Sequence, residues 1–237
     1  MATILILESS TEVCSVALSD NGKLTDIKED KNGQNHARLL TVFVEQLLTE
    51  NKIPATGIDA VAVSMGPGSY TGLRIGISAA KGFCYANQIP LIAVSTLKAM
   101  AQKVIRDFSQ ESPSSETKRL YCPMMDARRM EVYTCLLDED GTELEPVSAK
   151  IITEDSFQNE LQQNTIVFFG NGAMKCKTKI SHPNALFLDN IHASAALICE
   201  PAYEAYTKKH FEDVAYFEPF YLKDFVATIP KNNVLGK

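Results

Sequence analysis

Hydrophobic residues fall along this chain in two rhythms. Unbroken apolar runs at Thr3–Leu7 and Val13–Leu18 have the length and branching of buried strands. Between them lies the polar bend Glu8-Ser9-Ser10-Thr11-Glu12, and after them the turn signal Asp20-Asn21-Gly22. From His36 to Glu50 the spacing changes to a helical period, with Leu39, Leu40, Phe43, Val44, Leu47 and Leu48 forming a wide stripe closed by Asn51 and Pro54. The run Val61–Ser64 then ends in Gly66-Pro67-Gly68, which predicts a strand, a tight loop and a helix over 73–87, with Thr71 as the residue that caps its first amides. A further strand, Ile89–Val94, and a helix, Thr96–Phe108, complete this part.

Residues 109–118 are polar, aperiodic and contain proline. They read as a linker between a first lobe, 1–108, and a second, 119–237, with the last helix or tail free to pack back on the first lobe. The second opens as the first does. Glu12-Val13 runs through an apolar alternation to Asp20-Asn21-Gly22, and Glu131-Val132 runs through another to Glu139-Asp140-Gly141. Glu8 corresponds to Asp126, and the strand Thr165–Phe169 leads into Gly170-Asn171-Gly172 as the earlier strand leads into Gly66 and Gly68. Two related halves are implied, against the alternative of short hairpins alike by composition. Helices are expected at Asp155–Gln162 and Ala193–Cys199, and an extended aromatic tail at Phe217–Leu222; Lys231–Lys237 has no pattern.

Two surfaces admit both an internal and an external reading. In the first stripe, Leu40, Val44 and Leu48 suffice to cover a sheet, which leaves Leu39, Phe43 and Leu47 for a partner; each is worth about 1.5–3 kcal/mol when fully buried. The alternative puts all six in one core. In the later helix, Gly72, Gly76, Ala80 and Cys84 recur every fourth residue. They form a bare face, fit either for the chain's own sheet or for another helix.

Composition narrows the chemistry. Of 237 residues, 45% are hydrophobic and 22% charged, the proportions of a globular protein long enough for two cores. The net charge of −6 argues against tight, unaided nucleic-acid binding. The first apolar run, closed by Glu8, is too short for a signal peptide's apolar core, and no stretch approaches membrane-spanning length, so a cytoplasmic location without membrane contact is expected. Six cysteines without a C-x-x-C pair read as reduced core thiols. A Walker loop fails because Leu73 follows Gly72, and a dinucleotide loop fails because Thr71 stands where its third glycine belongs.

Several segments together resemble the bacterial TsaB (YeaZ) family nearly end to end. These are Gly66-Pro67-Gly68-Ser69-Tyr70-Thr71-Gly72-Leu73-Arg74-Ile75-Gly76, Asp126-Ala127-Arg128 with Glu131-Val132-Tyr133, Val94-Ser95-Thr96-Leu97, and Pro219-Phe220-Tyr221-Leu222. The resemblance implies an α/β, duplicated actin/hexokinase-like (ASKHA) two-lobed fold, each lobe a mixed sheet with flanking helices. It implies a non-catalytic subunit that binds and activates TsaD for transfer of a threonylcarbamoyl group to adenosine 37 of tRNA. TsaD is the expected partner in a heterodimer, TsaE a further partner, tRNA is met only through the complex, and a homodimer is expected when the chain is alone. The expected partner-binding residues are His36, Leu39, Phe43, Leu47, Gly72, Leu73, Gly76, Ala80, Phe83 and Cys84.

The residues that would do chemistry agree with that expectation. The active relative holds metal through two histidines four apart; here His36 is followed at that spacing by Leu40, and His182, His192 and His210 form no pair. Ser9, Ser10 and Ser69 sit in turns, where hydroxyls satisfy the backbone. Active members of the wider fold carry Asp-x-Gly-Thr at the first bend. This chain has Glu8-Ser9-Ser10-Thr11, with Glu8 where the family commonly has Asp, and Ala127 replaces the glycine of the second bend. A vestigial nucleotide or phosphate cleft is therefore expected around Glu8, Ser10, Thr11, Gly66, Gly68, Asp126, Gly170 and Gly172, with no cofactor or metal of its own and ATP or magnesium only through partners. Two other readings stand beside this one: an ATP-binding kinase or ATPase using Glu8 and Asp126, and a metalloprotease-like (glycoprotease) enzyme.

Overall fold

Each half of the chain begins as an antiparallel meander and continues with two parallel strands separated by helices. A computed structural model describes residues 1–33, 35–109 and 118–223. The first half runs β1 (Thr3–Glu8), β2 (Cys14–Asp20), β3 (Lys23–Asp30), α1 (His36–Glu50), β4 (Ala60–Gly66), α2 (Tyr70–Asn87), β5 (Leu91–Ser95) and α3 (Thr96–Ser109). The second runs β6 (Arg119–Asp126), β7 (Glu131–Leu137), β8 (Glu143–Ile151), α4 (Gln158–Gln163), β9 (Thr165–Phe169), α5 (Ala173–Cys176), β10 (Ala185–Phe187) and α6 (Ala195–Thr207). One sheet is ordered β3-β2-β1-β4-β5 and the other β8-β7-β6-β9-β10. Strands pair in the same senses in both, so one topology occurs twice.

Alternation along the central strands explains the layering. Leu5, Leu7, Val16, Val61 and Val63 pack with α1 and α2 on one face of the first sheet. Ile4, Ile6, Ala17, Ala60 and Ala62 pack with α6 on the other. Successive side chains of a strand point to opposite faces, so a strand buried on both must be apolar throughout, as β1 is. The helices in the middle exchange sheets. From α3, Leu97, Met100, Ala101 and Val104 pack on the second sheet, while α6 lays Ala195, Ile198, Cys199 and Ala202 on the first. The spacing i, i+3, i+4, i+7 gives α6 one continuous buried stripe.

Three of the expected helices differ in their bounds from the sequence expectation. α2 starts at Tyr70 rather than 73, because the cap is Ser69, whose hydroxyl accepts from the Gly72 amide at 3.2 Å; Thr71 is exposed and does not cap. α6 spans Ala195–Thr207 and runs on through Pro201, beyond the expected end at Cys199. It is held against the first sheet along its length, and its start is fixed by Ala195 N donating to Ser15 Oγ at 2.9 Å. α4 is shorter than expected, six residues from Gln158. The expected linker falls almost wholly on 110–117, and the patternless end on 231–237; both lie outside the described residues.

The tail, 211–223, crosses back over the first lobe. Glu212 N donates to Leu91 O at 2.9 Å, and Val214 and Phe217 join the core beneath α2. Lys81 Nζ donates to the carbonyls of Ala215 and Phe217, Phe220 N to Met65 O, and Tyr221 packs on Tyr70 with ring centroids 4.9 Å apart.

Candidate functional site

The two matching bends, one at the end of β1 and one at the end of β6, face each other across a cleft of about 1260 Å³. Its first wall is the Glu8–Glu12 bend pressed onto the start of α2. A Cβ on Gly72 would lie 2.1 Å from Ser9 O, and one on Gly68 would lie 2.4 Å from Ser10 O, so neither position accepts a side chain. Ser69 N donates to Ser10 O at 2.7 Å and Ser9 Oγ to Gly72 O at 2.9 Å, locking bend to helix. Gly66 turns the chain at φ +110.

Glu8 does not look into this cleft. It is buried, and its Oε1 accepts from Ser10 N at 2.6 Å and from Ser64 Oγ at 3.0 Å. The extra methylene over Asp lets the carboxyl reach β4. Burial pushes its pKa above the usual carboxylate range, and the donated hydrogen bonds of Ser10 and Ser64 offset this only in part.

The second wall repeats the glycine logic with different chemistry. A Cβ on Gly170 would meet Met124 O at 2.3 Å, and one on Gly172 would meet the Asp126 amide nitrogen at 2.9 Å. Asp126 accepts from the Arg128 amide at 2.8 Å and from Lys175. Lys175 Nζ also donates to Arg129 O and Glu131 O, each at 2.7 Å. Asn171 joins the walls: its Oδ1 accepts from Asp126 N at 3.0 Å and its Nδ2 donates to Glu12 Oε2 at 2.9 Å. From the tail, Lys223 donates to Glu131 and to Ala127 O.

A magnesium nucleotide, the ligand this class of fold would suggest, does not fit these residues. The first-bend carboxyl is turned inward onto Ser10 and Ser64. That of the second bend carries a lysine ammonium. Ser10, Thr11, Gly68 and Asp126 do line the cleft, whereas Glu8 lies behind it, and Gly66, Gly170 and Gly172 shape its walls from within. Sequence reasoning missed Lys175, Lys223 and Ser64; only Asn171, set between two glycines, carried a signal.

The partner-binding set divides. The faces of α2 are reversed from the open-flank expectation, because Gly72, Leu73, Gly76, Ala80 and Cys84 are all buried inside the chain. A Cβ on Gly76 would meet Ser9 Oγ at 2.2 Å. The bare face was needed for the bend and β4 to approach, so these five are corrected to internal packing. Leu47 is corrected too, being fully buried with Leu40. His36 is buried, with Nε2 3.3 Å from Val13 O, and serves to seat α1 on the sheet. Leu39, Phe43 and Phe83 are half-buried, packing against the first core while part of each stays accessible. What α2 does present outward is a second bare stripe, Ser78, Gly82 and Ala86, all exposed; nothing lies within 4 Å of a Cβ on Gly82.

The six cysteines are buried and unpaired. Burial pushes their thiols up, to about 11 for Cys84 and Cys199. No helix among the described residues is long and apolar enough to cross a membrane.

Two copies of one mixed-sheet topology, with paired bends across a cleft, define the duplicated actin/hexokinase-like class of α/β proteins. Within that class, the family model described as TsaD: tRNA N6-adenosine threonylcarbamoyltransferase matches residues 29–231. The chain is 28% identical over 233 residues to the tRNA threonylcarbamoyladenosine biosynthesis protein TsaB of Haemophilus influenzae, covering 94% of each. It is 34% identical over 161 residues to TsaB of Escherichia coli, covering 65% of the chain and 66% of that protein. The structure of YeaZ from Pseudomonas aeruginosa superposes with a TM-score of 0.74 at 27% identity, over 94% of the chain and 100% of the other. The chain belongs to the TsaB/YeaZ branch of this family.

Proposed function

We propose that this chain is a non-catalytic subunit in tRNA threonylcarbamoyladenosine synthesis, docking onto the catalytic transferase TsaD through the outer faces of α1 and α2. The observation that carries the reading is the outward stripe Ser78, Gly82 and Ala86, beside half-buried Ile75, Ala79 and Phe83 and, on α1, Leu39 and Phe43. Small residues spaced four apart let a second helix approach closely, and the flanking apolar groups supply the area that water leaves. A model named for the transferase matches this chain. Two proteins of one fold present like helix pairs and can pack about a local two-fold axis, as symmetric dimers do. The same patch gives a homodimer when the transferase is absent.

The cleft supports the non-catalytic part. The carboxyls of the two bends, Glu8 and Asp126, are already engaged by the chain's own hydroxyl, amide and ammonium groups, so the subunit works without nucleotide or metal of its own, and ATP enters through TsaD or the ATPase partner TsaE. With a net charge of −6, the chain meets tRNA only within the complex. The test is reconstitution in the cytoplasmic setting expected for tRNA modification. The chain and the transferase should co-purify as a heterodimer and modify tRNA together, and neither should do so at full rate alone. Full-rate modification by the isolated chain would overturn the reading.

A further inference from the structure

We propose that Lys175 is a built-in cation. Its ammonium takes the place a divalent ion would occupy at the second bend and, through Asn171, latches the two lobes across the cleft. The inference concerns the isolated chain and does not depend on the partner proposed above.

Three oxygens converge on Lys175 Nζ: a carboxylate oxygen of Asp126 and the carbonyls of Arg129 and Glu131. A carboxylate with backbone carbonyls is the donor set hard cations choose. An ammonium has three donors, and here all three are used. The loop it holds is otherwise unfavourable, since Arg128 and Arg129 both stand at positive φ, +70 and +51, without being glycine. Such a backbone persists only when its surroundings fix it. The lysine comes from α5, on the far side of the Gly170–Gly172 turn that packs against β6.

The same cluster reaches the other lobe. With its carboxylate held by Lys175, Asp126 presents its amide to Asn171 Oδ1, which leaves the Asn171 NH2 group aimed at Glu12 of the first bend. The path from Lys175 to Glu12 therefore spans the cleft through three hydrogen bonds, entering Asp126 at its carboxylate and leaving from its amide. In a protein that binds a metal nucleotide between its lobes, the ligand closes this path. Here side chains close it without a ligand.

Amide hydrogen exchange on the full chain tests this. Lys175→Ala should raise exchange about tenfold at 126–131 and also at 9–13 in the other lobe. Added methylammonium, which fits the vacated space as a cation, should restore protection where sodium at equal ionic strength does not. Asn171→Ala should raise exchange at 9–13 and leave 129–131 protected, which keeps the test open should Lys175→Ala fail to fold. Loosening confined to 126–131 in Lys175→Ala, unchanged exchange at 9–13 in Asn171→Ala, or no rescue by methylammonium would overturn the proposal.

Discussion

Adding one methyl group to α2 should have opposite effects at two glycines ten residues apart. At Gly72 the new Cβ would sit 2.1 Å from the backbone oxygen of Ser9, more than an ångström inside ordinary contact. A backbone oxygen cannot rotate away, so bend or helix must shift. Overpacking of this kind costs about 1–3 kcal/mol. The shift also strains the Ser9 Oγ to Gly72 O hydrogen bond, worth about 1 kcal/mol. Against this stands the gain of roughly 0.5–1 kcal/mol from replacing a helical glycine with alanine. The net expectation for Gly72→Ala is a loss of about 1–3.5 kcal/mol. At Gly82 nothing lies within 4 Å of the added carbon, so only the helix gain remains and Gly82→Ala should be more stable by about 0.5–1 kcal/mol. Urea unfolding followed by far-ultraviolet circular dichroism checks both: with a slope near 2–3 kcal/mol/M, the midpoints should move down by about 1 M and up by about 0.3 M. A neutral Gly72→Ala would mean that the bare face at 72, 76, 80 and 84 is open after all.

Glu8 makes stability depend on pH in an uncommon direction. Its folded pKa is raised, with burial as the largest cause, so the native state binds the proton more tightly than the unfolded chain, and stability falls as pH rises from the unfolded value, about 4.3, through the folded one. Glu8→Gln keeps an acceptor for Ser10 N and Ser64 Oγ, so its stability relative to the parent should grow between pH 4 and pH 8 in urea titrations, and a constant difference would refute this. Lys81→Ala removes both hydrogen bonds that hold the tail carbonyls of Ala215 and Phe217; limited proteolysis should then cut within 212–221 several-fold faster, with the urea midpoint changed little, and equal cleavage rates would contradict the strap.

Much of the fold was legible because it is written in repeated local patterns. The apolar runs of β1, β2, β4 and β9, and the periods of α1 and α2, are strong signals, and the repeated hairpin pointed to duplication. The edge strands β3 and β8 were not legible. Lys23–Asp30 and Glu143–Ile151 carry charges along their length and none of their residues is fully buried, so neither strand has the buried face that would make apolar and polar residues alternate. At the site, glycines showed where chain segments approach, but not from which side. On a helical wheel the stripes at 72, 76, 80 and at 78, 82, 86 are equally bare, and only the bend carrying Ser9, which packs on Gly72 and Gly76, decides which one faces in. Lys175 was invisible because a lysine on a polar turn carries no mark of its partners; three oxygens meet there only once β6, the second bend and α5 are folded together.

Docking through the outward stripe of α2 is the proposed mode of action. Gly82→Glu tests it most directly, because the open space at Gly82 lets the fold accept the side chain while a close helix contact cannot. Isothermal titration of the purified chain into TsaD, the partner proposed for it, should give a dissociation constant raised at least about a hundredfold by Gly82→Glu, equivalent to about 2.7 kcal/mol, and unchanged by Leu144→Glu at an exposed position of β8. Equal affinity for the parent and Gly82→Glu would contradict the account.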